Sequence, residues 1–246
     1  MYKDIWHRWA ESKAADLYSE QWLLSKWETI QGVVWPREKI TIMIDDIQNK
    51  LELKPEHCLI DVGCGGGWIA QELHRHCQTV FALDFAPGML EAAAQSRFDI
   101  QLILGDAWAL PISSGGLDRS LIYFMLMNYP DREKIAAALK ECLRVLKPGG
   151  ICLAGQFPLK SGTQIYLQEK KRYLEWCKSK FKLGNDFREE QPHPQVLFED
   201  DFGEYLRNAL GVQVRTEPSF NHFWRQGEPA QCRGWRVDYI LNKNIV

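Results

Sequence analysis

Cys58-Leu59-Ile60-Asp61-Val62-Gly63-Cys64-Gly65-Gly66-Gly67 is the stretch on which the fold turns. Its first five residues form a short apolar run, as a strand buried on both faces requires. The glycines that close it let the backbone turn sharply and approach a ligand with no Cβ in the way. Trp68 to His76 then takes up helical spacing, so the loop joins a strand to a helix whose first N–H groups point into the crevice. A dinucleotide loop of the G-x-G-x-x-G kind starting at Gly63 needs glycine at position 68, where Trp68 stands. A Walker loop needs Gly-Lys-Ser/Thr, which is absent. What is present is D-x-G-x-G-x-G, with Asp61 two residues before the first glycine.

Outward from this loop the chain alternates. Thr79 to Leu83 reads as a second strand, and Pro87 to Arg97 as a helix with proline in its first turn. Ile100 to Leu104 is a third strand, Leu117 to Met127 contains a fourth, and Arg132 to Leu146 is a helix rich in Ala and Leu. Pro148-Gly149-Gly150 turns into a fifth strand, Ile151 to Phe157. Strands alternating with helices make a parallel sheet covered on both faces. Beyond Phe157 the rhythm changes. Thr163 to Lys182 is helical and charge-rich, residues 184–195 form a loop with two prolines, and Phe198 to Leu210 is a further helix. Val212 to Thr216 and Arg236 to Leu241 alternate as strands, and with no helix between them they predict an antiparallel pair closing the sheet. Ahead of the core, Trp6, Trp9, Leu17, Trp22, Leu23, Trp27 and Ile30 recur at helical spacing. After a break at Gly32 to Pro36, Ile40, Ile44, Ile47 and Leu51 mark a second helix.

Three acids fall at the carboxyl ends of successive strands: Asp61, Asp84 and Asp106. In an open parallel sheet those ends line one crevice, where ligands bind. An acid about 20 residues past the glycines offers two acceptor oxygens to the hydroxyls of a ribose, and Asp84 has that spacing. Asp106 is placed to accept from an exocyclic amine such as that of adenine.

These pieces resemble class I S-adenosylmethionine-dependent methyltransferases, particularly the small-molecule group that includes ubiquinone/menaquinone and biotin-pathway enzymes. The matching segments are LIDVGCGGGWIAQEL, VFALDFAPGMLEAA, ILGDAWALPISSGGLDRSLIYFMLMNYPD and ECLRVLKPGGICLAG, in family order over about residues 55–157. The resemblance implies S-adenosylmethionine as cofactor. It also implies an α/β, Rossmann-like three-layer sandwich with a seven-stranded, mostly parallel sheet and an antiparallel C-terminal strand. It places Gly63, Cys64 and Gly65 on the methionine moiety through backbone, with Asp61 near its ammonium. Asp84 would hold the ribose hydroxyls, Phe85 and Met89 would flank the adenine, and Asp106 and Ala107 would meet its amine and ring edge. Tyr123 to Met127 would border the methyl group. Two departures stand out: Gly66 replaces the usual polar residue after the second glycine, and Met127-Asn128-Tyr129-Pro130 stands where many relatives have His or Trp. This is not the Asn-Pro-Pro-Tyr signature of amine methylation on nucleic-acid bases and glutamine.

The expected organisation is one domain over 1–246. Cap helices occupy 1–54, the cofactor-binding core 55–157, a cap insertion 158–200, and a C-terminal helix and strands 201–246. A sulfonium already activates its methyl, so the protein mainly aligns donor and acceptor, and a base is needed only where the acceptor must lose a proton. Candidate bases are His7, His193 and His222 in the flanking segments, with Tyr18 and Tyr123 beside them; surface or structural roles are the simpler reading for each. His57, His74 and His76 fall on the wrong end or back face of the sheet, and His74-Arg75-His76-Cys77 lacks metal-ligand spacing, so no metal is expected.

Composition narrows the class further. The chain has 246 residues with 30 Lys+Arg against 32 Asp+Glu, a net charge of -2, which argues against a broadly basic nucleic-acid binder. No run of apolar residues is long enough to span a membrane, and Met1 to Trp9 lacks the apolar core of a secretory signal. Seven cysteines without a C-x-x-C pair read as reduced thiols in a cytoplasmic protein. Ten tryptophans, five of them before the core, point to aromatic walls around a flat or apolar small-molecule acceptor, or simply to helix packing. The expected activity is methyl transfer to such an acceptor. The alternatives are a macromolecular or carrier-bound substrate (tRNA, protein, acyl carrier) and a non-catalytic cofactor-binding protein; oligomeric state stays open.

Overall fold

A computed structural model describes residues 37–94, 99–181, 196–232 and 234–244. The elements run α1 (Arg37–Leu51), β1 (Cys58–Val62), α2 (Trp68–Leu73), β2 (Thr79–Asp84), α3 (Pro87–Ala94), β3 (Gln101–Leu104), β4 (Leu117–Tyr123), α4 (Arg132–Val145), β5 (Leu146–Pro158), α5 (Thr163–Phe181), α6 (Phe202–Leu210), β6 (Gln213–Pro218) and β7 (Arg236–Asn242). The seven strands form one sheet in the order β3-β2-β1-β4-β5-β7-β6. The first five are parallel, and β7 runs antiparallel to both β5 and β6. This is a Rossmann-like α/β sandwich. The chain reverses direction of build between β1 and β4, and at such a switch point the carboxyl ends open a crevice.

Successive strand residues feed opposite faces. Leu59, Leu121, Leu153 and Ile240 pack with Ile40, Met43 and Ile47 of α1 and with Trp68 and Leu73 of α2. Ile60, Ile122, Ala154 and Tyr239 pack with Ile135, Leu139 and Cys142 of α4 and with Phe202 and Leu206 of α6. Local chemistry sets the helix ends. The Asp131 carboxylate accepts the backbone N–H groups of Glu133 and Lys134 and caps α4. Gly211 ends α6 in the left-handed region, its N–H donating to the Arg207 carbonyl.

Several boundaries differ from those predicted. Strand β5 starts at Leu146 rather than Ile151, because Leu146 pairs with Leu117 ahead of the glycine turn. Helix α6 starts at Phe202 rather than Phe198. Phe198 is held extended instead, its N–H donating to the Pro158 carbonyl at 2.8 Å while its own carbonyl accepts from Lys160 N at 2.9 Å. The predicted helix with Trp6 to Ile30, the end of the helix at Arg97 and the loop 184–195 lie outside the described residues. Among the described residues, no helix is long and apolar enough to cross a membrane. The described tryptophans favour packing: Trp68, Trp224 and Trp235 are all buried in hydrophobic clusters.

Candidate active site

The glycine loop is pinned to its neighbouring strand before any ligand is considered. Gly63 N and Cys64 N both donate to the Leu83 carbonyl of β2, at 2.7 and 3.0 Å. Gly63 sits at φ +76, and a Cβ there would fall 2.9 Å from Met125 Cγ, so this position takes glycine on both counts. The Asp84 carboxylate completes the tie. Its Oδ2 accepts Gly65 N at 2.9 Å and its Oδ1 accepts Ala86 N at 2.9 Å. Carboxylate oxygens of this kind are also the acceptors that ribose hydroxyls use.

The cavity at these strand ends is lined by Gly63, Gly65, Asp84, Phe85, Met89 and Tyr123 of the expected residues. Ala86, Phe124, Met125, Asn128 and Tyr129 complete the wall. The segment after β4 forms this second side through a 3-10 turn at Leu126–Asn128, held by Asn128 Nδ2 donating to the carbonyls of Phe124 and Met125 at 3.2 Å each.

Asp61 and Cys64, like Asp106 and Ala107, are not among the residues lining this cavity. Asp61 is almost fully buried, and its Oδ2 makes no hydrogen bond. Burial, reinforced by the charge of Asp84, pushes its carboxyl up to about 7. The Cys64 thiol turns inward to donate to the Gly65 carbonyl, and burial pushes it well above the usual thiol range, so it has no nucleophilic part. Asp106 closes a turn instead, accepting Trp108 N at 3.2 Å and bridging to Ala109, and neither it nor Ala107 lines the cavity.

Of the candidate bases, Tyr123 and His222 fall among the described residues. Tyr123 lines it with its ring, but its hydroxyl points away, accepting from Gln156 Nε2 at 3.1 Å and donating to Asp238 Oδ2 at 3.5 Å. Burial, followed by the Asp238 charge, raises this phenol well above its ordinary range. That corrects its candidacy as a base. His222 stands half-buried against the rings of Phe223 and Trp235, at 4.0 and 5.2 Å, away from the cavity lining. Burial, with Arg236, Lys39 and Lys170 nearby, pushes its imidazole well below the usual value, and its buried Nδ1 has no partner. It is a neutral packing residue there. His7, Tyr18 and His193 lie outside the described residues.

Sequence reasoning missed a buried polar group behind Tyr123. Asp238 accepts from Lys50 Nζ at 2.7 Å, from Gln156 N at 2.8 Å and from the Ser219 hydroxyl. The signal was a lone acid in the apolar strand Val237–Leu241 and a lone amide in Ile151–Phe157, but nothing in the sequence names their partners.

Residues 59–150 match the family described as a methyltransferase domain. Over this segment the chain is similar to methyltransferases. Over 103 residues the chain is 39% identical to a demethylmenaquinone methyltransferase of Renibacterium salmoninarum, covering 42% of each chain. Over 99 residues it is 35% identical to a malonyl-[acyl-carrier protein] O-methyltransferase of Serratia marcescens, covering 40% of this chain and 38% of that one. The chain thus matches less than half the length of these curated relatives. A magnesium protoporphyrin IX methyltransferase from Synechocystis, solved with bound SAH, shares the fold at a TM-score of 0.62 and 14% identity, covering 98% of this chain and all of that one.

S-adenosylmethionine, the cofactor that the sequence resemblance implies, fits the site. The orphaned Asp61 oxygen suits an ammonium, the Asp84 carboxylate is the acceptor chemistry ribose hydroxyls need, and Phe85 and Met89 offer apolar faces to a purine. Gly63 and Gly65 present bare backbone between them.

Proposed function

We propose that this chain transfers a methyl group from S-adenosylmethionine to a small, aromatic or apolar organic acceptor. The single observation that carries the reading is the two-sided cavity. One side is the Asp84-tied glycine loop and the other is the aromatic wall of Tyr123, Phe124 and Tyr129. Bound S-adenosylmethionine supplies a methyl already activated by its sulfonium. The protein's share is then alignment, an effect that contributes about 7–11 kcal/mol in well-oriented reactions. Asp84 fixes the nucleoside end and Asp61 the amino end, while the residues after β4 exclude water from the opening beyond. None of the described residues lining the cavity is a carboxylate or imidazole free to take a proton from the acceptor, since Asp84 is committed to the loop. The reading therefore favours an acceptor that is nucleophilic as it binds.

An apolar, aromatic wall suits a flat acceptor through ring stacking and apolar burial. The named relatives act on a demethylmenaquinone and a malonyl-acyl carrier, which spans small and carrier-bound acceptors. The near-neutral charge supports the former over a nucleic acid. A tritiated-methyl transfer screen of cell extract, separated into small-molecule, nucleic-acid and protein fractions, tests this. Label in the small-molecule fraction is expected, and label confined to macromolecules overturns the acceptor class.

A further inference from the structure

Behind the Tyr123 ring, two residues hold backbone conformations that L side chains avoid. Phe124 lies at φ +59 and Gln156 at φ +75. Such strain persists only where the surroundings over-determine it, and it concentrates at working sites. Here both residues act on one side chain. Phe124 meets the Tyr123 ring edge-on at 4.9 Å, and Gln156 Nε2 donates to its hydroxyl at 3.1 Å.

Gln156 is fully buried, at a register shift where β5 departs from β7 between Ala154 and Phe157. The irregularity turns its side chain into the interior. Its carboxamide bridges Tyr123, the Phe220 carbonyl at 2.9 Å and Arg236 NH1 at 3.0 Å, while its N–H donates to Asp238. Gly155 beside it clears the space: a Cβ there would stand 2.0 Å from the Tyr123 ring. Asp238 in turn holds Lys50 of α1. One face of the ring's surroundings is thus cavity and the other is a continuous polar brace.

We propose that Gln156 is a positioning residue for methyl transfer, fixing the Tyr123 ring as a wall of the cofactor cavity and tying that wall through Asp238 and Lys50 to α1. This rests on the reading that the cavity takes S-adenosylmethionine. A near-attack geometry tolerates little wandering of the groups that define it, so a wall side chain needs a tether of its own. The hydroxyl of Tyr123 is that tether, which explains why it faces away from the opening.

The test uses the full chain with S-adenosylmethionine carrying a 13C-labelled methyl, followed by NMR, with affinity measured by calorimetry. Gln156→Gly removes the carboxamide while glycine accepts φ +75, so the bulge survives. Tyr123→Phe keeps the ring and removes its tether. Gln156→Gly is expected to bind the cofactor within about threefold of the unaltered protein. In each variant, the bound methyl resonance is expected to broaden and move in the same direction. The double variant should shift it no further than either single one, because both cut the same link. A methyl signal in Gln156→Gly that superimposes on the unaltered protein, or shifts that add, overturns the inference while leaving the cofactor reading intact. Should Gln156→Gly fail to fold, Tyr123→Phe decides alone: an unmoved signal overturns the inference. No bound methyl signal in the unaltered protein overturns both.

Discussion

Asp84 accepts the backbone N–H of Gly65 at 2.9 Å, so the carboxylate expected to hold a ribose also shapes the loop that faces it. Replacing it therefore removes ligand contacts and loop order together. Asp84→Ala should weaken S-adenosylmethionine binding by about 10- to 100-fold or more, as expected when hydrogen bonds to a charged group worth about 1.5–3 kcal/mol each are lost. Calorimetry reads this directly. Unchanged affinity would falsify the cofactor assignment.

The reach of the sequence can be judged at particular residues. The strand-end positions of Asp61, the glycines and Asp84 were legible because spacing along one chain segment fixes them. The parallel sheet and its antiparallel end were legible from the alternation of elements, whereas the order β3-β2-β1-β4-β5-β7-β6 came from the structure. The turn that Asp106 closes was not legible, because an acid after a strand serves equally as a ligand acceptor or as the acceptor for a turn N–H, as it does for Trp108 N. The direction of the Tyr123 hydroxyl was illegible too. It depends on Gln156 and Asp238, 33 and 115 residues further along the chain. Long-range partners of this kind leave no local period to read.

Asp61 gives a pH dependence with a definite sign. Its carboxyl is raised to about 7 by burial and by Asp84, so it is largely protonated below neutrality and ionised above it. A cofactor ammonium binds the ionised form, so S-adenosylmethionine affinity should rise from pH 6 to pH 8, by at most about tenfold per unit. Asp61→Asn should flatten that profile. For the protein without cofactor the sign reverses: the folded state holds a proton that the unfolded chain releases, so stability falls as pH rises from the model carboxyl value of 3.8 towards 7. A rising stability over that range in the unaltered protein, lost in Asp61→Asn, contradicts the assignment.

Gly155 is predicted to be intolerant of even one methyl group. A Cβ would lie 2.0 Å from the Tyr123 ring, which the Gln156 amide prevents from swinging aside. Overpacking of this kind costs about 1–3 kcal/mol, and more where the neighbour cannot yield. Urea denaturation of Gly155→Ala should show that loss. Gly116→Ala, where a Cβ would meet nothing nearer than 3.7 Å, is the open-site control. Equal losses in the two variants would remove the steric explanation.

Lys50 and Asp238 form an ion pair at 2.7 Å with both side chains essentially out of water. Burial pulls the Lys50 ammonium down, yet Asp238 and Asp46 outweigh it and hold it above its ordinary range, so the ammonium stays charged through neutral pH. Lys50→Met leaves the Asp238 carboxylate with only the Gln156 N–H and neutral hydroxyl partners. Breaking one side of such a pair typically costs about 3–5 kcal/mol, because the stranded charge stays buried. The surface pair Arg37–Glu72 gives the contrast: Arg37 is 56% exposed, and an exposed pair contributes about 0–1 kcal/mol. Denaturant midpoints of Lys50→Met and Arg37→Ala should therefore separate widely. If they coincide, α1 is not anchored through Asp238, and the brace behind Tyr123 ends at β7.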